Sequence, residues 1–560
     1  MRLFSIIQDN KGIAIVAVTV VLVVAALLGG TVISQTSSDI QLANRTYEEK
    51  QALFFAESAK EAAFRAILDA GIAPDGSLNF ANDTQPGETQ PGTVSGQTLT
   101  GGTYGFTVTE LASAPSQIIQ VVGTGDSGTD RPRQVTVLAE VVKENVCVWN
   151  NAIFGGSGNV GGVINGNCAI HGSVHLLGDG VGEGSAAIEA LDLNGTALIH
   201  NNYEGIPPEL LAKIPPMPIN DDGLSSLDAK LRVKNGAVGV SGNSEIGEID
   251  DSTNAWKETM DGIYIETNHT DTRWTGTSVV DGVPDPSRVQ SDNGTEALYD
   301  VGDAVSMPDI NDPYYDSVTD VQYASYTDFF SQNSLHLPTI TLDASTSAAT
   351  TVDTYIQTNY PTPEMQAAAG IAYITNGSSF TITQTTSYGQ VNSISYNPTA
   401  AAGVAGLTIS GMVMIDGDIT MGTKQTSISY SGSGTIYAAG NASGDQGDVS
   451  VHGHVLPATT FPTVDVLGLV AKHDVLLATG PGDSNLFMAG AFFGANQVVS
   501  TKQNQIAGTF VCQYFDMGTN VPKIYQVPDL MNHLPRGLIG SEPIWVITEF
   551  EEKSWQADFI

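Results

Sequence analysis

Residues Gly12 to Ile33 form an unbroken run without a single charge, its only hydroxyls being Thr19 and Thr31. As a helix this run rises about 33 Å, enough to cross the hydrocarbon core of a bilayer. It is longer than the apolar region of a secretory signal, and no small-residue cleavage site follows it. Arg2 and Lys11 precede it, and Asp39 comes before the next cation, Arg45. That asymmetry places the N-terminus in the cytoplasm and the bulk of the chain outside, making a single-pass protein of the cytoplasmic (inner) membrane. Nor does the helix have a reason to stop at the membrane. Between Ile33 and Asp69 there is no glycine, and the first proline is Pro74. Ala52, Phe55, Ala59, Ala63 and Ala66 recur at three- and four-residue steps and give one apolar stripe. The pattern predicts one helix from Ile13 to Asp69, roughly 85 Å long, with Gly29–Gly30 as a soft point.

The rest of the chain has a different character. The chain as a whole holds 60 glycines and 25 prolines, nearly all of them beyond this helix, so the remainder reverses direction often and reads as mainly β. Its 22 Lys and Arg against 60 Asp and Glu give a formal charge of −38, which repels a phosphate backbone and excludes nucleic acid as a partner. Solubility accounts for this charge, with bound calcium as a weaker alternative. Acidic turns recur at Asp221–Asp222, Asp309–Asp312–Asp316 and Asp416–Asp418, but none has the spacing of a known calcium loop. No other cofactor is expected.

Period-two alternation at Tyr104, Phe106 and Val108, at Ile119 and Val121, and at Val135, Val137, Ala139 and Val141 predicts a small antiparallel sheet. From Asn151 glycines fall six residues apart, at Gly166, Gly172 and Gly178, at Gly411 and Gly417, at Gly434 and Gly440, and at Gly447 and Gly453. Short apolar pairs precede many of them. This beat of strand plus turn predicts a parallel β-helix or related β-solenoid, whose coils bury apolar residues only by stacking. Seven segments follow: a leader over 1–12, the transmembrane and amphipathic helix over 13–70, a small sheet over 71–146, solenoid over 147–202, a mixed insertion over 203–400, solenoid again over 401–515, and a cap over 516–560. Within the insertion, Tyr323, Tyr326, Phe329 and Phe330 lie near one face of an expected helix and read as local core.

Motifs for chemistry are scarce. There is no G-x-S-x-G elbow, H-E-x-x-H, P-loop or G-x-G-x-x-G after a strand. His452 and His454 share one face of a strand, and His171 and His175 lie close in sequence, but no partner carboxylates are evident and no metal site is assigned. Cys147 and Cys168 are spaced to pair in an oxidising compartment, which leaves Cys512 free; three buried thiols are the equal alternative.

Lys11–Gly12–Ile13, the apolar run and Phe54–Phe55–Ala56–Glu57–Ser58–Ala59 resemble the N-terminal domain of PilX-type minor pilins, within the type IV pilin and pseudopilin superfamily. The segment from Tyr525 to Ile547 resembles the end of large PilX-like proteins. The resemblance implies cleavage by prepilin peptidase between Gly12 and Ile13, and partners among other pilin or pseudopilin subunits and the pilus assembly machinery. Pilins usually carry Glu five residues into the mature helix. Here Ala17 stands there, which points to a subunit at or near a pilus tip with no neighbour above it. The expected function is a non-catalytic minor pilin-like protein of type IV pilus assembly that displays the solenoid for adhesion or tip assembly. The alternatives are a membrane-tethered β-helix enzyme acting on polysaccharide, which needs paired carboxylates in a groove, and an envelope scaffold that never enters pili.

Overall fold

The computed structural model describes residues 10–73, 75–79, 88–90, 92–113, 116–128, 131–158, 164, 166–179, 189–250, 253–266, 272–517 and 522–560. The chain divides into two compact units, one running to Glu144 and taking in Trp545–Ile560, the other spanning Asn145–Ile544.

In the first unit, helix α1 runs unbroken over Asn10–Ala70, straight through Gly29–Gly30. It ends where Gly71 takes a left-handed conformation (φ 71°) and donates its N–H to the Ile67 carbonyl, a glycine stop. The following strands are β1 (Glu88–Gln90), β2 (Thr93–Leu99), β3 (Gly102–Ala112), β4 (Gln117–Asp126) and β5 (Arg133–Asn145), an antiparallel meander. The C-terminal half of α1 lies on this sheet. Ala52, Phe55, Ala56, Ala59, Ala63 and Ile67 are buried against Phe106, Ile119, Val121, Val135, Val137 and Ala139.

The approach is close because both surfaces are small. A Cβ on Gly123 would lie 2.4 Å from the Ala56 carbonyl oxygen, and one on Gly125 would lie 2.2 Å from that of Ala52. The sheet has a sixth strand, Trp545–Phe559, next to β5. Residues 545–560 therefore belong to the sheet, where the sequence reading put them in a solenoid cap. The reason is apolar: Ile547, Phe550 and Ala557 pack on the helix–sheet core, and the Phe550 ring stacks on Phe64 at 4.5 Å.

In the second unit, parallel strands stack into a solenoid-like sheet. In-register pairs carry one apolar ladder through it: Leu335, Val413, Ile436, Leu469, Phe492, Phe510, Ile153, Val174, Leu231 and Ile263, all buried. A second ladder runs Ala405, Ile428, Val455, Met488, Ile506, Ile524, Ile170, Ile199, Ile246 and Val289. Neither ladder follows chain order. The chain joins the stack in its middle at Ile153, coils to one end near Ile263, and crosses to the far end at Leu335. It then coils back until Phe510 meets Ile153. The coil at the seam is made from both halves, strand Lys523–Tyr525 pairing with Gln505–Ala507 on one side and Ala169–His171 on the other.

The stretch 203–400 thus supplies solenoid coils at Lys230–Val233 and Gly262–Ile265 as well as the mixed structure expected there. That mixed structure includes helix Ser347–Asn359 and the antiparallel strands Ile371–Asn376, Ser379–Thr385 and Val391–Ala401. At about 4.8 Å per strand spacing, the chain has roughly 43 Å to cross between the ends of the first ladder. Residues 299–334 span much of this distance along the outside of the coils. Tyr299 bonds His175 at 2.7 Å, Asp300 pairs with Arg232 at 2.9 Å, Asp316 pairs with Arg536 at 2.5 Å, and Phe330 packs on Tyr437 at 4.7 Å. Tyr326, Phe329 and Phe330, on helix Tyr326–Asn333, are buried as the core under this strap. Where the chain joins and leaves the unit, Val146 donates to the Ile544 carbonyl at 2.8 Å and the Ile544 N–H donates to Asn145 Oδ1 at 3.1 Å.

Two outcomes follow from this packing. Phe510→Ala should destabilise the second unit by about 3–5 kcal/mol, and hydrogen exchange should rise in Ile153–Gly158 as well as in Gln505–Asp516. Protection kept in Ile153–Gly158 would contradict the seam. Gly125→Val should cost about 3 kcal/mol, at the upper end for overpacking because the obstacle is backbone, read as lost exchange protection over residues 52–67.

Candidate functional site

The surface that sets this chain apart is the first half of α1. Ile15 is 68% exposed and Ile33 71%, with Val20, Val24, Leu28 and Val32 exposed between them. No part of this 18-residue apolar window is covered by the chain itself. By length and composition this helix qualifies to cross a membrane, and nothing among the described residues of its own unit relieves the cost of leaving that surface in water. Residues 1–9 of the expected leader lie outside the described residues; the backbone of Gly12 and Ile13 forms the first turns of the helix.

The polar side chains singled out in sequence are spread along the solenoid. His452 Nδ1 bonds Asp483 at 2.7 Å, while His454 Nδ1 accepts the Phe487 N–H at 2.8 Å and its ring stacks on Phe487. The pair therefore does not converge. His171 and His175 also part: His171 stacks between Tyr525 and His200 at 4.4 and 4.8 Å, whereas His175 meets Tyr299.

Much of the acid is used by the backbone. Asp418 accepts the N–H groups of Gly447 and Asp448, Asp448 accepts that of Asp474, and Asp474 accepts the amides of Asn496 and Gln497. These positions immediately precede Ile419, Val449, Val475 and Val498 in register, so the carboxylates form a ladder up one corner. Asp309 and Asp312 close their own turn in the same way. His473 joins Asp448 and Asp474 to make one cluster of potential ligands; His200, Glu204 and Glu248 make another.

All three cysteines are free thiols in buried positions. Cys147 and Cys168 are thus unpaired: Cys147 Sγ donates toward the Gly540 carbonyl at 3.5 Å, and Cys168 precedes the strand Ala169–His171. Burial pushes Cys147 up to about 11 and Cys168 and Cys512 up to about 12, which keeps them protonated.

Sequence reasoning missed Gly123 and Gly125, whose signal was two glycines at a two-residue step in a strand. It also missed the approach of His200 to Glu248, which is distant in sequence and carries no motif.

No protein-family profile and no curated protein matches the sequence. Among solved structures, the competence-associated pilin ComZ from Thermus thermophilus has a similar fold, with a TM-score of 0.50 at 18% identity over 92% of this chain and 98% of that one. At that identity the similarity is one of fold.

The buried histidines make stability depend on pH. Burial, then the charges of Arg232 and Lys234, push His175 down to about 3; burial, then Lys523, push His200 down to about 4; burial, then His200, hold His171 well below 6.5. These rings stay neutral in the fold but protonate near 6.5 once unfolded. Their stabilising contribution is full above about pH 6.5 and is lost as pH falls from there toward the folded-state values, at about 1.4 kcal/mol per pH unit for each ring. Urea midpoints should therefore fall between pH 7 and pH 5, and His175→Gln should flatten the slope by about one proton. A slope unchanged in that variant would contradict the assignment.

Proposed function

We propose that the chain is a non-catalytic minor pilin-like subunit of type IV pilus assembly, held in the cytoplasmic membrane by α1 with its N-terminus inside and its two units outside. The observation that carries this reading is the helix itself: one continuous rod whose first half is uncovered apolar surface and whose second half is sealed onto an antiparallel sheet. A rod of that kind suits lipid before assembly and neighbouring apolar helices after it. The similarity of fold to a pilin supports it. Prepilin peptidase would act at Gly12–Ile13, and the partners would be other pilin or pseudopilin subunits and the assembly machinery. Ala17 in place of the usual acid favours a position at or near a tip.

Display of the solenoid for adhesion is supported by one face of it. Thr381, Ser395, Thr408 and Ser431 lie in register across four strands, with hydroxyl contacts of 2.8 Å (Thr381–Ser395) and 3.0 Å (Thr408–Ser431). The strands that carry them contain no charged residue, in a chain of net charge −38. The exception is Asp416 and Asp418, farther along Val404–Met421 at another face. A neutral, hydroxyl-rich row suits a neutral polyhydroxylated surface better than a charged one.

Mass spectrometry of the protein from its native membrane should find a mature chain starting at Ile13, and Gly12→Val should leave the leader attached. Antibodies to the solenoid should label pili, preferentially at their ends. An uncut N-terminus together with unlabelled pili would overturn the reading.

A further inference from the structure

We infer that His200, Glu204 and Glu248 form a binding site for one divalent transition ion of the zinc type, which staples two successive coils of the solenoid. This site is independent of the pilin reading.

The topology brings the three residues together. Strand Leu198–His200 pairs in register with Glu245–Ile246 of the next coil, so Glu248 follows closely beyond the partner of Ile199. Glu204 comes four residues after His200, across a turn that Asn202 fixes: its side chain accepts the Glu204 N–H at 2.9 Å, and its carbonyl bonds His171 Nδ1 at 2.8 Å. One ligand atom from each of His200, Glu204 and Glu248 lies within 4.8 Å of the other two.

His200 is the second observation. It is only 6% exposed, and its ring is fixed by stacking on His171. Its Nδ1 stands 4.0 Å from Glu248 Oε1, beyond hydrogen-bond reach, and among the described residues it has no hydrogen-bond partner. The ring is thus held in place with a nitrogen lone pair not taken up by a protein donor, facing the Glu248 carboxylate. Neither Glu204 nor Glu248 pairs with a Lys or Arg among the described residues. Glu245, Glu204 and Glu258 add further negative charge close to Glu248. Lys523 lies near enough to oppose a cation here. Acid exceeds base around the site, since Arg288 is already paired with Glu245.

One imidazole nitrogen and two carboxylate oxygens match zinc and its first-row neighbours, with water as a fourth ligand; calcium and magnesium prefer oxygen alone. Bonds of about 2.0–2.2 Å place tetrahedral ligand atoms roughly 3.3 Å apart. The present separations need a modest inward swing, and Glu204 and Glu248 are exposed enough to make it.

The test uses tag-free, full-length protein in detergent, stripped of metal and titrated with zinc chloride by calorimetry in the presence of a hundredfold excess of calcium. One zinc ion should bind per chain and raise the melting temperature. Glu204→Gln with Glu248→Gln should weaken binding at least tenfold and abolish the thermal shift, while His473→Gln at the other cluster should leave both intact. No saturable binding at micromolar zinc, equal binding by the double variant, or loss of binding in His473→Gln would overturn the site.

Discussion

The second unit depends on the contact between Phe510 and Ile153 and on the parallel pairing of Lys523–Tyr525 with Ala169–His171 beside it. A solenoid normally grows coil by coil, each turn covering the one before. Here the two ends of the coiled chain meet in the middle of the stack, so neither half has a covered face at the seam until the other arrives. Burying an aliphatic or aromatic side chain stabilises by about 1.5–3 kcal/mol, and both apolar ladders cross the seam without a gap. The loop that must close to make it spans most of the unit, which favours late and cooperative formation. Residues 299–334 follow from the same arrangement. A chain that finishes at one end and restarts at the other needs a strap along the side, and the buried aromatics of Tyr326–Asn333 are what hold it there.

The first unit solves a different problem. A helix left uncovered along its first half must be gripped firmly along its second. Alanines on α1 against glycines on β4 let backbone approach backbone, and the strand Trp545–Phe559 adds Phe550 against Phe64. The sheet is therefore complete only when the last residues of the chain have been added.

The helix was legible because its signal is local: an uncharged run, a stripe at helical spacing and no glycine or proline to break it between Ile33 and Asp69. The strands β3 to β5 were legible from alternation for the same reason. The six-residue glycine beat marked real coils near Gly172 and Gly434, but missed those at Lys230–Val233 and Gly262–Ile265. There the turns between strands are long and irregular, and only register across the stack reveals the repeat. The place of Trp545–Phe559 was hidden because its pairing partner lies some four hundred residues earlier. Of the polar residues, the histidine pairs drew notice through spacing alone, whereas His200, Glu204 and Glu248 meet only because two coils lie side by side. The free state of Cys147 and Cys168 likewise depends on which loops bring their neighbours close, which spacing does not encode.

The hydrogen-bonded exchange of Val146, Asn145 and Ile544 bears on mechanics. The second unit is joined to the first by two covalent connections, which continue as β5 and Trp545–Phe559, adjacent strands of one sheet. Tension passing from one unit to the other is therefore shared between two backbones that enter neighbouring strands. Severing either tether would convert a two-point suspension into a single cord, along which the stack would begin to unravel from its centre.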